Sequence, residues 1–151
     1  MRILIITHPR SGGFALSAWI AKELGYEFYH EPFNITTIDE FDNNLYSQPN
    51  CVVKIFLYHF KKFNLDPLDF IKTFDKVIVH KRNNLHDTAI SLTYSELNRN
   101  TYDNMHQTYE IDDKWVDENK EEIKLRIKDV TDQHNEINEF TQENYLLTSY
   151  N

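Results

Sequence analysis

Two short stretches hold the residues whose types and spacing could do chemistry. The first is HPRSGGF at residues 8 to 14, where Pro9, Arg10, Ser11, Gly12, Gly13 and Phe14 stand between an apolar run and a helical pattern. Adjacent glycines let a backbone come close to an anion, and the amino end of the helix behind them offers unpaired N–H groups and a positive dipole end. Arg10 adds a forked, permanently charged donor. The second stretch is HKRNNLHDTAISL at residues 80 to 92. Arg82, at the end of an apolar run, and Ser91, on the helical pattern that follows, could grip a second anion. Each stretch also has a plainer reading. Gly12 and Gly13 would then only make a tight turn, and Lys81, Arg82 and Ser91 would be a surface pair and a helical hydroxyl.

The glycine turn lacks the Gly-Lys-Ser/Thr ending of a Walker loop. The lysine for terminal phosphates and the hydroxyl for a metal are both missing, which disfavours a magnesium-nucleotide kinase or hydrolase. None of the seven histidines falls into a zinc-ligand pattern.

The elements that must position these residues alternate along the chain. Residues 2 to 7 read as a strand, and 13 to 24 as a helix whose Leu16, Ile20, Ala21 and Leu24 share a face before Gly25 stops it. Residues 26 to 29 read as a second strand. CVVKIFLYHF, residues 51 to 60, is a near-continuous apolar run that predicts a strand over 51 to 57 covered on both faces. Its one lysine, Lys54, must point at something polar, an anion site or partial exposure. A short helix is expected within 66 to 74, a buried strand at 76 to 80, a helix at 84 to 97 and a long amphipathic helix over 113 to 141. A last strand is expected at 144 to 148. Strands separated by helices predict a parallel α/β sheet with right-handed crossovers, and in such sheets ligands bind where strand carboxyl ends meet the following helices.

Composition bounds the rest. A chain of 151 residues with 40% hydrophobic and 14% aromatic content is expected to form a single domain spanning residues 1 to 151 with a true core. A formal net charge of -8 argues against general binding to nucleic acid or to anionic membrane surfaces. The lone Cys51 has no internal disulfide partner, and the apolar residues near the N-terminus are too few for a signal core or a spanning helix. A soluble protein of a reducing, cytoplasmic compartment is the expectation; oligomeric state stays open.

Together the stretches resemble the sulfotransferase family. THPRSGGFALSAWIAKEL is similar to the loop that holds the 5′-phosphosulfate in those enzymes, and HKRNNLHDTAISL to their 3′-phosphate motif. HEPFN at 30 to 34 resembles a segment after the second strand of carbohydrate-type members, VVKIF at 52 to 56 their third strand, and NYLLTSY the strand after their long helix. The resemblance implies a P-loop NTPase-like three-layer fold and transfer of a sulfuryl group from 3′-phosphoadenosine 5′-phosphosulfate to a hydroxyl or amine, with a sugar as one acceptor class. It needs no metal.

The implied donor contacts are Pro9 to Phe14 on the 5′ side and Arg82 with Ser91 on the 3′ side, Arg10 also serving the transfer itself. Glu31 matches the glutamate that accepts the acceptor's proton, with His8 and His30 as less favoured bases; outside the resemblance Glu31 reads equally as a solvated loop acid or a helix cap. The chain departs from the family pattern in three ways. Gly13 and Phe14 replace hydroxyl residues, so backbone amides must do more and Ser17 could substitute in part. Arg82 and Ser91 are nine residues apart, with Asn83 where an eight-residue spacing would place the arginine. Typical members continue past the position of Asn151 with a segment that covers the nucleotide, which leaves a minimal enzyme or a weakened donor site as the expectation. Two alternatives follow: a nucleotide-binding module that has lost catalysis, and a kinase-like phosphotransferase.

Overall fold

The computed structural model describes residues 1–32, 48–98 and 110–143. Four strands form one parallel sheet: β1 (Arg2–Thr7), β2 (Glu27–His30), β3 (Cys51–Phe56) and β4 (Lys76–His80), side by side in the order β2-β3-β1-β4. The described helices are α1 (Gly13–Leu24), α2 (Tyr58–Lys62), α3 (Pro67–Ile71), α4 (Leu85–Leu97), α5 (Asp113–Glu118) and α6 (Lys120–Glu143). No described helix is long and apolar enough to cross a membrane.

Strand parity sorts the core into two faces, because successive side chains point to opposite sides of a sheet. Leu4, Ile6, Val53 and Ile55 face one way and pack with Phe60, Phe74, Ile137 and Phe140 from the segments after β3 and from α6. Ile3, Ile5 and Val52 face the other way and meet Ala21 of α1. Helices therefore flank the sheet on both faces. A third cluster, Ala89, Ile123 and Val130, joins α4 to α6.

The central pair, β1 and β3, carries the burial. Residues 3 to 7 of β1 and 51 to 55 of β3 are all buried. In β4, expected to be buried, only Val79 is, and β4 ends the row of described strands beside β1.

Three boundaries differ from expectation. The apolar run 51 to 60 is no single strand: β3 stops at Phe56, the Phe56 N–H donates to His59 Nδ1 over 3.3 Å, and the chain turns into α2 so that Phe60 enters the core. Apolarity marked burial there, and could not tell strand from helix. The long helix breaks at Asn119, whose amide side chain donates to the Trp115 carbonyl over 2.9 Å and closes α5 before α6 begins. The helix of 66 to 74 is only Pro67–Ile71, opened by Asp66, which accepts the Asp69 N–H. The strand expected at 144 to 148 lies outside the described residues.

Candidate functional site

The β1–α1 turn is built around a close approach. Gly13, the first residue of α1, is buried, and a Cβ there would stand 2.7 Å from Thr7 Cγ2, so only glycine lets the helix start this near the strand. Gly12 caps the helix at φ 88°, a left-handed conformation that favours glycine, and Arg10 adopts φ 59° in the same turn. α1 has no acidic residue in its first turn, so nothing there opposes an anion at the positive end of its dipole. The Ser11 hydroxyl is buried and turned inward, bonding Thr7 Oγ1 and donating to the His8 carbonyl over 2.8 Å. Its side chain thus shapes the turn. Ser17, proposed as a partial replacement for the missing hydroxyls, donates to the Gly13 carbonyl over 2.6 Å from a buried position, and its hydroxyl is spent within the helix.

The β4–α4 turn stands directly beside it, because β4 pairs with β1 in register Thr7↔His80. Asn84 caps α4 by accepting the Asp87 N–H over 3.0 Å. Arg82 reaches Asp87 at 3.3 Å and is part exposed. Ser91, on α4, accepts the Arg10 Nε–H over 2.9 Å. One residue from each stretch is therefore in contact with the other, and an accepting hydroxyl keeps its own hydrogen to donate.

In the same cleft, β2 and β3 supply a carboxylate and an ammonium. Register His30↔Lys54 brings the residue after β2 alongside the buried lysine of β3. Lys54 Nζ lies 2.5 Å from Glu31 Oε1, its side chain 3% exposed and that of Glu31 13%. The Glu31 N–H donates to the Lys54 carbonyl over 2.8 Å, and Glu31 holds φ 47°. Lys54 Nζ also sits 3.4 Å from the centre of the Phe56 ring. Burial pushes the Lys54 ammonium down to about 8, with the Glu31 carboxylate pulling the other way. Sequence reasoning left the destination of Lys54 open, and the structure gives it to Glu31. Phe14, standing where the resemblance wants a hydroxyl, packs edge-on against His30 with ring centres 4.9 Å apart.

All three sets line one cleft of about 920 Å³, large enough for a nucleotide. Of the residues singled out in sequence, Pro9, Arg10, Gly12, Gly13, Phe14, Glu31, Arg82 and Ser91 line it, and Ser11 lies behind the wall. Its charged lining is mixed, with Arg10, Lys54 and Arg82 beside Glu31, Asp87, Glu96 and Asp113. His8, an alternative base, is poorly suited to that task. Its ring is buried, with Nδ1 beside the Pro9 carbonyl at 3.1 Å and Nε2 accepting the Arg82 N–H at 3.3 Å, so both nitrogens are occupied. Burial also pushes it down to about 4. Among the described residues no group of three His, Cys, Asp or Glu side chains is placed to hold a metal ion.

In comparisons with known proteins, no family model, no curated protein and no solved structure matches this chain.

Proposed function

We propose that the cleft binds 3′-phosphoadenosine 5′-phosphosulfate on a P-loop-like frame and that the protein passes its sulfuryl group to a hydroxyl or amine acceptor. The observation that supports the reading is that the Gly12–Gly13 turn and the Arg82 turn line one cleft and are joined by the 2.9 Å bond from Arg10 to Ser91. In this reading the backbone amides around Gly12 and Gly13, with Arg10, hold the 5′-phosphosulfate. Arg82 and Ser91 hold the 3′-phosphate that separates this donor from ordinary adenine nucleotides.

The chemistry asks mainly for positioning and for stabilised charge on the leaving oxygens. The acceptor oxygen or nitrogen forms a bond to sulfur as the bond from sulfur to the bridging phosphate oxygen breaks. Adenosine 3′,5′-bisphosphate leaves with that electron pair. Glu31, which lines the same cleft, takes the proton that the acceptor loses, and the adjacent Lys54 ammonium holds its carboxylate in place. A sugar hydroxyl is one acceptor that fits this scheme.

The Glu31–Lys54 ion pair also favours a second reading, a nucleotide-binding module without turnover, since one carboxylate oxygen is already engaged. Titration calorimetry with adenosine 3′,5′-bisphosphate against ATP and magnesium tests the donor site. Preference for the bisphosphate is the expected result. Magnesium-dependent preference for ATP would replace the reading with a phosphotransferase, and sulfuryl transfer from the labelled donor separates enzyme from module.

A further inference from the structure

The β1–β4 ladder ends at the pair Thr7 and His80, and beyond it the two turns part. Two histidine rings continue the connection. His80 Nε2 lies 2.8 Å from the Ser11 carbonyl, so the strand that leads to the Arg82 turn holds the glycine turn. His8, which leads into the glycine turn, accepts the Arg82 backbone N–H over 3.3 Å, so each turn is gripped by a ring from the other. The bond from Arg10 to Ser91 is a third link between the same two segments.

We infer that His8 and His80 are positioning residues that clasp the two turns into one unit, so that an anion on either turn favours binding of an anion on the other. This rests on the proposed function for the identity of the two anions, and the clasp itself rests on the three bonds. An anion that settles the Gly12 and Gly13 amides also settles the Ser11 carbonyl, through it His80, and through His80 the start of the Arg82 turn. The coupling is reciprocal, as any difference in binding free energy between two sites must be. Its consequence is specificity: a ligand with both anions gains more than the sum of its halves.

The experiment uses the full chain and three probes, adenosine 5′-monophosphate, adenosine 3′-monophosphate and adenosine 3′,5′-bisphosphate, followed by calorimetry. His80→Leu removes the donor to Ser11, and His80→Gln keeps an N–H at a similar reach. His80→Leu should lower the preference for the bisphosphate over the 5′-monophosphate about tenfold, with the 5′-monophosphate itself changed less than about threefold. His80→Gln should restore most of that preference, which a merely structural loss would not allow. An unchanged preference, or equal losses on all three probes, overturns the clasp. If His80→Leu does not fold, His8→Leu asks the same question from the other side.

Amide hydrogen exchange on the unliganded protein keeps the outcomes separate. His80→Leu should speed exchange at the Arg82 amide as well as around Gly12 and Gly13. Exchange that quickens around Ser11 alone overturns the clasp even where nucleotides bind well. Should the wild type bind the bisphosphate no better than the monophosphates, the donor reading fails and the exchange result alone decides the clasp.

Discussion

Lys54 and Glu31 meet across the neighbouring strands β3 and β2, Nζ to Oε1 at 2.5 Å, in a cleft that Arg10 and Arg82 also line. A buried ammonium beside a carboxylate fixes where that carboxylate points. It also means that removing Glu31 takes the carboxylate from a buried ammonium, whereas Glu31 without Lys54 would keep His30 Nε2 at 3.4 Å.

For Glu31 the first expectation is kinetic. Glu31→Gln keeps the shape and removes the proposed base, so donor affinity should stay nearly constant while turnover falls by about two to four orders of magnitude. Single-turnover sulfuryl transfer measures it. Wild-type turnover in this variant would leave Glu31 as a structural partner of Lys54.

Lys54 gives a pH signature. Its folded-state value of about 8 lies below the ordinary lysine value of 10.5, so above about pH 8 the unfolded chain holds a proton that the folded chain has lost. Stability must then rise with pH across that window. Urea midpoints of the wild type, compared with Lys54→Met, should show the extra rise between pH about 8 and about 10, below the ordinary tyrosine range. A wild type and variant that run parallel there would show that Lys54 does not titrate in the window.

Arg82 should read the 3′-phosphate. Arg82→Ala is expected to weaken binding of adenosine 3′,5′-bisphosphate by about 1.5 to 3 kcal/mol, as for other charge-assisted contacts, and to affect adenosine 5′-phosphosulfate far less. Calorimetry with both ligands decides it, and equal losses would assign Arg82 to general charge.

At Gly13 the expectation is steric. The added methyl of Gly13→Ala meets Thr7 Cγ2 at 2.7 Å and Thr7 Oγ1 at 2.9 Å, so the start of α1 must shift from β1. The cost should be about 1 to 3 kcal/mol in urea unfolding, with weaker nucleotide binding. Full retention of both would show that the turn yields freely.

How much of this was legible in the sequence varies with the range of the interaction. β1, β4, α1 and α4 announced themselves through short apolar runs, helical spacing and the stop at Gly25, all local signals. The end of β3 did not, because Phe60 is apolar for the same reason as Val53 and Ile55: all three enter one cluster. The break at Asn119 was hidden since apolar spacing continues from Trp115 to Ile123 across it. In the site, both turns were visible as residues, whereas their contacts were not. Arg10 finds Ser91 only because β4 lies beside β1, and Glu31 finds Lys54 only because β2 lies beside β3. Strand order is a property of the whole chain, and no single stretch encodes it.

The left-handed backbone at Arg10 and Glu31, φ 59° and 47°, sets stability and chemistry against each other. A side chain other than glycine costs about 1 to 2 kcal/mol in this region. A screen that rewards only heat resistance should therefore drift toward glycine or asparagine at Arg10 and collect proteins that have lost the cleft's arginine, whereas at Glu31 the buried Lys54 ammonium, left without its carboxylate, opposes that drift. Thermal melts and nucleotide titrations on Arg10→Gly should accordingly move in opposite directions, which would make the pair of measurements a simple assay for residues kept for their work rather than for the fold.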